Sequence, residues 1–252
     1  RIALGLLSLL SLLLTPPLAV AAPVMDNTFE TTLSNGMRVV VREDHRAPTA
    51  VQMVWYRVGS IDERDGVTGV AHVTEHMMFK GTQQYPAGEF SRIIAENGGQ
   101  ENAFTGSDYT AYFQTLEKSR LEISFKLESD RMRNLNLKAD ELKKELEVVT
   151  EERRMRTDSD PSAQLHEAVQ AALYTHHPYG KPIIGWQHEI ESLGREDALA
   201  YYDRFYTPEN AILVVAGDIE ADEVLRLAQE TYGKIPARAE GPRRSRTKEP
   251  PH

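Results

Sequence analysis

The spacing of apolar residues along the chain predicts strands and helices that do not alternate regularly. Alternating or continuous apolar residues predict strands, and apolar residues recurring every three to four positions predict helices. The predicted strands cover residues 29–41, as a hairpin around Asn35-Gly36, and residues 50–58, 101–105, 109–115 and 211–216. The predicted helices cover residues 70–79, 89–96, 196–205 and 221–232, with a mainly helical block over 118–174. This order favours an α+β fold in which an antiparallel sheet is backed by helices.

The predicted helix over residues 70–79 carries the most informative polar residues. His72 and His76 are four positions apart, so both rings lie on one helix face and can bind one metal ion. Glu75 lies beside them and could take a proton from water at that metal. This is the inverted zinc-protease pattern H-x-x-E-H, and Thr68 is the expected N-cap of its helix. The alternative is a pair of core histidines hydrogen-bonded to neighbours, with Glu75 exposed.

A third metal ligand is sought elsewhere, because catalytic zinc takes three protein ligands and keeps one position for water. The chain contains no cysteine, so a thiolate ligand is excluded. In the block 118–174, Glu145 and Glu152 share a helix stripe with two apolar residues, where core residues are expected. A buried carboxylate needs a cation or a metal nearby. Both glutamates are therefore candidates, and the alternative is that they pair with arginines such as Arg153 or Arg154.

Together with these residues, longer segments resemble the M16 metallopeptidases, the pitrilysin-type family with the inverted zinc-binding motif. The likeness is to the bacterial two-domain branch of that family. Residues 145–152 are similar to the family pattern E-x-x-V-V-x-x-E, and residues 97–113 to its G-G-x-x-N-A-x-T-x-x-D-x-T segment. Residues 177–185 and 208–218 are also typical. The resemblance covers about residues 28 to 235.

The resemblance implies a zinc peptidase with a mitochondrial-processing-peptidase-like metallohydrolase domain, an α+β sheet backed by helices. It implies that His72, His76 and Glu152 bind one Zn²⁺ and that Glu145 is a supporting acid. Glu75 would be the general base, and peptides or unfolded polypeptides would be the substrates. Family members also have a second, homologous domain that closes over the zinc and supplies an Arg/Tyr pair. We therefore expect a C-terminal homologous domain or a partner M16 subunit, and poor hydrolysis by residues 1–252 alone.

The strand that carries Asn102 and Ala103 is the expected binding edge for an extended peptide, whose backbone would pair with free strand groups. Asn102 is a candidate for a substrate or supporting hydrogen bond, and the alternative is an ordinary turn residue. Phe104, Tyr109 and Tyr112 are candidate pocket residues, although strand aromatics more commonly belong to the core.

The first residues indicate export. The apolar run over residues 2–14 is shorter than the roughly 20 residues that span a bilayer. It is followed by small residues of the A-x-A type, typical of a cleaved signal peptide. We expect a signal peptide over 1–21, a zinc-binding peptidase domain over 22–235 and a linker over 236–252. This implies the periplasm of a Gram-negative bacterium and no stable membrane anchor after signal cleavage.

The net charge of −9 argues against nucleic acid as a partner. Two other functions remain open. One is a non-catalytic subunit that binds peptides, although such M16 members typically lose the metal residues. The other is a small-molecule metalloenzyme of the quorum-signal lyase type, which takes a cysteine as its third ligand.

Overall fold

In the computed structural model, residues 27–238 are described, and they form a mixed sheet covered by helices. The strands are β1 (Thr28–Thr32), β2 (Arg38–Glu43), β3 (Thr49–Tyr56), β4 (Gln100–Thr105), β5 (Thr110–Glu117) and β6 (Ala211–Gly217). The α-helices are α1 (Val70–Met77), α2 (Glu89–Glu96), α3 (Leu121–Asn134), α4 (Ala139–Arg153), α5 (Pro161–Leu173), α6 (Gln187–Ile190), α7 (Arg195–Phe205) and α8 (Ala221–Glu230). The α+β prediction is confirmed. The signal peptide predicted over 1–21, and most of the linker over 236–252, lie outside the described residues.

The strand order is β1-β2-β6-β3-β5-β4. Four neighbouring pairs are antiparallel, as predicted, but β2 and β6 are parallel, with Val39 opposite Leu213 and Val41 opposite Val215. The predicted antiparallel sheet is therefore mainly antiparallel and includes one parallel pair, β2 with β6. The physical reason is that β6 arrives after seven intervening helices and enters between β2 and β3, where its apolar residues become buried.

The hairpin predicted at Asn35-Gly36 is present as β1 and β2, and Gly36 has φ +88°. A positive φ is easily adopted by glycine and explains why this residue suits the turn. The Asn35 amide donates hydrogen bonds to the carbonyl oxygens of Tyr232 (2.8 Å) and Ile235 (2.9 Å). The turn is thereby attached to the chain that follows α8.

A buried polar network joins the sheet to α3. Gln52 on β3 donates to Gln114 on β5 and to the hydroxyl of Tyr232. Gln114 donates to Glu128 at 2.8 Å, and Glu128 accepts two hydrogen bonds from Arg131 at 2.6 and 2.9 Å. Both charged residues are almost fully buried. Since the pair neutralises itself, these charges can remain inside the protein.

The sheet and helices bring α1 next to α4, α7 and the edge strand β4. The buried apolar residues of α1, which include Val70, Val73 and Met77, belong to the main core. The metal motif thus lies on a helix held by the core, between a sheet edge and a second helix.

Candidate metal centre

The N-terminus of α1 is stabilised by a carboxylate from an earlier loop. Gly69 is the N-cap residue, with φ +90°, so the prediction that Thr68 caps the helix is wrong. The buried side chain of Glu63 accepts hydrogen bonds from the backbone amides of Gly69 (3.1 Å) and Ala71 (2.8 Å). An anion at this position also interacts favourably with the helix dipole. Burial nevertheless raises the pKa of Glu63 to about 8.

His72 and His76 lie on one face of α1, with ring centroids 4.7 Å apart. Glu152, near the end of α4, points its Oε2 atom at both rings. That oxygen is 3.4 Å from Nε2 of His76 and 3.7 Å from Nε2 of His72. Among residues 27–238, these three side chains are the group of histidines and acids that could hold a metal ion.

The separations suit a metal site. Ligand atoms about 2.0–2.2 Å from a tetrahedral zinc ion lie roughly 3.3–3.6 Å from one another. The observed 3.4 Å separation lies within this range, and the 3.7 Å separation is slightly longer. Burial above all, and then the neighbouring His76, lowers the pKa of His72 to about 3. The His72 ring is therefore neutral at pH 7, the form in which imidazole binds metals.

A supporting acid stands behind one of the two histidines. One carboxylate oxygen of Glu145 lies 3.2 Å from Nδ1 of His76, and the other lies 2.5 Å from Nζ of Lys80. Carboxylates in this position fix the orientation of a metal-binding ring and increase its basicity. His72 differs, because its Nδ1 is buried without a hydrogen-bond partner within residues 27–238.

Glu75 lies on the side of the cleft formed by β4. Its Oε2 accepts a 2.5 Å hydrogen bond from the hydroxyl of Thr105, the last residue of that strand. Burial raises the pKa of Glu75, and the bond from Thr105 acts in the opposite direction. Glu75 is not the exposed residue that the core-histidine alternative required.

The arginines suggested as partners of Glu145 and Glu152 are used elsewhere. Arg153 binds Glu167, and Arg154 binds Glu151. Instead, Arg156 places Nη1 2.6 Å from Oε1 of Glu152. Arg156 lies in a π-helical turn, Arg154–Asp158, that follows α4 directly. π-Helical turns are frequent at functional sites.

An open cleft of about 640 Å³ is bordered by His72, Glu75, His76, Glu152 and Arg156. Asn102 and Ala103 line it and belong to β4, at the edge of the described sheet. Asn102 is therefore a strand residue and not a turn residue, and its side-chain oxygen accepts a hydrogen bond from the amide of Ala103. Of the three aromatic candidates, Phe104 lines the cleft, Tyr112 is fully buried in the core and Tyr109 is exposed.

Sequence reasoning assigned no role to four residues of this site: Glu63, Lys80, Thr105 and Arg156. Thr105 lies in the segment that resembles the M16 family, and Arg156 follows Glu152 by one helical turn. These two positions were the only indications in the sequence that Thr105 and Arg156 lie near the site. Nothing in the sequence around Glu63 indicated that it caps α1.

Comparison with known proteins identifies the family. The family model described as "Insulinase (Peptidase family M16)" matches residues 38–186. A second model, "Peptidase M16 inactive domain", matches residues 192–252. This chain belongs to peptidase family M16. The division into a domain over 22–235 and a linker over 236–252 stays a prediction.

Individual relatives agree with this assignment. The "Zinc protease PqqE" of Helicobacter pylori is 37% identical over 205 residues, which are 81% of this chain and 46% of that protein. The crystal structure of a protease from Helicobacter pylori gives a TM-score of 0.84 at 35% identity, covering 88% of this chain and 54% of that one. The first half of the periplasmic protease PqqL from Escherichia coli gives 0.81 at 26% identity, covering 88% and 49%.

The chain thus spans about half the length of these relatives. Within residues 27–238, no helix has the length and apolar character needed to cross a membrane.

Proposed function

We propose that this chain is the metal-bearing half of a zinc-dependent metalloendopeptidase that hydrolyses peptides or unfolded polypeptides. The observation that carries the proposal is the position of Oε2 of Glu152 at 3.4 and 3.7 Å from the two histidine rings, with Glu75 beside them. His72, His76 and Glu152 would hold one zinc ion, and Glu145 would orient His76. When bound, a zinc ion polarises a scissile carbonyl and lowers the pKa of water to about 7.

Glu75 is the proposed general base. Because Thr105 occupies Oε2, the Oε1 atom of Glu75 is the one available to accept a proton from the attacking water. The water oxygen bonds to the carbonyl carbon, the C–N bond breaks, and Glu75 returns the proton to the leaving amine. The partly buried carboxylate, whose pKa is raised by burial, suits this exchange better than a strongly acidic one.

Strand β4 is the proposed substrate edge. It has a neighbour, β5, on one side only within the described sheet. An extended peptide could pair with its other side, next to the cleft that Asn102 and Ala103 line. Backbone pairing gives affinity with little dependence on side chains, which suits a peptidase that acts on unfolded polypeptides.

A second M16 half is the proposed partner, either in the same polypeptide or in another subunit. Support comes from relatives about twice as long as this chain. The periplasm is the proposed location, on the basis of the signal-like sequence over 2–21 and the periplasmic PqqL relative.

Two measurements test the proposal together: metal content, and cleavage of an unstructured polypeptide such as casein. The chain is expected to bind one zinc ion and to hydrolyse casein weakly alone and faster when a C-terminal M16 half is supplied. Glu75→Gln should keep the zinc and lose hydrolysis, whereas Glu147→Gln, an exposed change on α4, should affect neither. Zinc binding without hydrolysis in any combination would favour the alternative, a non-catalytic peptide-binding subunit.

A further inference from the structure

One arginine faces the metal cleft. Arg156 lines the cleft together with the three proposed metal ligands and residues of β4. Among the residues that border the cleft in the described part of the chain, it is the only lysine or arginine. Its side chain is 74% exposed, although it contacts Glu152. A peptide bound in the cleft would therefore meet this positive charge.

The two other arginines at this end of α4 are held by bidentate contacts. Arg153 donates to both carboxylate oxygens of Glu167, at 2.8 and 2.9 Å. Arg154 donates to both oxygens of Glu151, at 2.5 and 2.7 Å. Neither arginine is among the residues that border the cleft. Arg156 thus differs from its neighbours in where it lies.

The contact between Arg156 and Glu152 leaves donors of the guanidinium for another partner. Nη1 of Arg156 lies 2.6 Å from Oε1 of Glu152, whereas Oε2 of Glu152 faces the two histidine rings. A guanidinium carries five N–H donors, and one carboxylate oxygen can accept from only some of them. The contact also restrains the planar group. An arginine restrained in this way loses less freedom when it binds a second anion.

The charge of Arg156 acts on residues at more than one side of the cleft. Burial raises the pKa of Glu75, and Arg156 is among the groups that act in the opposite direction. Burial lowers the pKa of His72, and Arg156 contributes in the same direction. Since Glu75 contacts β4 through Thr105, the positive potential extends to the space that a peptide paired with β4 would fill.

We propose that Arg156 is a specificity-determining residue that binds the carboxylate of an aspartate or glutamate side chain in the peptide held at the metal cleft. This rests on the proposed function, because the cleft must bind peptides. Arginine can form two parallel N–H···O bonds with a carboxylate. In an extended peptide, successive side chains point to opposite sides. Every second side chain of a peptide on β4 would therefore point to the side of the metal helices, and one near the scissile bond would reach Arg156.

The test uses C-terminally amidated peptides that are identical except for Glu, Gln or Lys at one position, scanned along the peptide. An exposed charge pair contributes modestly because water screens it. With the zinc-loaded chain, we therefore expect kcat/KM at one position to be about threefold higher for Glu than for Gln and about tenfold higher for Glu than for Lys. Arg156→Gln should abolish this order, and Arg156→Glu should reverse it.

A matched control comes from the same turn. Arg154→Gln also removes one positive charge, from a side chain that is exposed but does not border the cleft. It should leave the order of the three peptides unchanged. An equal loss of preference in the Arg154 and Arg156 variants would show that the overall charge of the turn matters and would overturn the specific role of Arg156.

Binding provides a second readout that does not need hydrolysis. On the Glu75→Gln protein, fluorescence anisotropy should show the same order of affinity, and adding Arg156→Glu should reverse it. If wild type cleaves no peptide but this charge-dependent binding is present, the proposed function is wrong and the role of Arg156 stands. If it cleaves without a charge preference that the Arg156 variants change, the role of Arg156 is wrong and the function stands.

Two further measurements separate Arg156 from the metal. A glutamate side chain could bind the zinc ion itself, so anisotropy is repeated with a chelator present. A Glu preference that needs zinc and persists in Arg156→Gln would assign selectivity to the metal and overturn the proposal. Zinc content is measured for each variant, because Arg156 also contacts Glu152. If Arg156→Gln only weakens zinc binding and slows all three peptides equally, Arg156 acts through Glu152 and the proposal is wrong.

Discussion

The hydroxyl of Thr105 donates a 2.5 Å hydrogen bond to Oε2 of Glu75, so the end of the edge strand holds the proposed base of the metal helix. One carboxylate oxygen is thereby fixed and the other is left available. The contact connects the strand that would bind the peptide with the side chain that would move its protons. If Glu75 is the base, the position of the strand and the transfer of the proton would be coupled through the Thr105 side chain.

Removing that hydroxyl should impair turnover. Thr105→Val keeps the side-chain shape but loses the hydrogen bond, and hydrogen bonds to charged groups contribute roughly 1.5–3 kcal/mol. We expect kcat for peptide hydrolysis to fall about tenfold or more, with zinc content unchanged. Thr105→Ser should restore most of the activity. Equal activity of the Val and wild-type proteins would show that Thr105 does not position Glu75.

The contact between Glu145 and His76 leads to a prediction about metal affinity. Glu145→Gln removes the negative charge that faces Nδ1 of His76 and Nζ of Lys80. Changes in such supporting groups typically reduce metal affinity 10–100-fold. Competition with a zinc chelator measures the affinity, and Glu147→Gln on the same helix serves as the control. An unchanged dissociation constant would contradict the supporting role.

The capping carboxylate should make stability depend on pH. The pKa of Glu63 is about 8 in the folded chain, against an ordinary value of 4.5. The folded state therefore keeps this proton between those two values while the unfolded state loses it. The resulting stabilisation is fully present below about pH 4.5 and is lost as the pH rises through about 8, with a slope of at most about 1.4 kcal/mol per pH unit.

Urea unfolding at pH 5, 6, 7 and 8, with a chelator present, measures this dependence. Compared with wild type, Glu63→Gln should show a flatter decrease of the unfolding free energy over this range. Glu122→Gln, an exposed change on α3, should reproduce the wild-type slope. Parallel wild-type and Glu63→Gln curves would mean that Glu63 ionises normally in the folded protein.

The buried pair beneath the sheet gives a prediction for stability. Glu128→Ala leaves the Arg131 guanidinium buried without its carboxylate partner. Breaking such a pair typically costs about 3–5 kcal/mol. Glu122→Ala, which removes an exposed carboxylate that pairs with Lys126, should have a much smaller effect, because water screens an exposed ion pair. Denaturant titrations of the two α3 variants compare them directly, and similar losses would contradict the argument.

Local signals predicted the elements of this fold well. The Asn35-Gly36 turn, the helix with His72 and His76, and α2 over residues 89–96 all occur where the sequence placed them. The strand order could not be predicted from these local signals. Entry of β6 between β2 and β3 depends on contacts between residues far apart in sequence. The alternation of apolar residues is local and does not identify a strand's neighbours.

The site residues show the same difference between local and long-range information. His72, Glu75 and His76 follow from helical spacing alone, and Glu152 could be proposed because it occupies a buried stripe together with Glu145. Thr105, Lys80 and Arg156 act through contacts that form only when separate elements pack. The sequence carried their positions but no local signal of their partners.

Oε2 of Glu152 approaches the ring of His76, which precedes it by 76 residues along the chain, and the ring of His72 on the same helix. An ion held by these side chains would act as a removable cross-link that closes a long loop, and restricting such a loop disfavours the unfolded chain by several kcal/mol. Amide hydrogen exchange should therefore slow on loading with zinc at both anchoring helices, α1 and α4, and not only beside the ion. The zinc ion would then also stabilise the cleft itself, by holding α1 and α4 together.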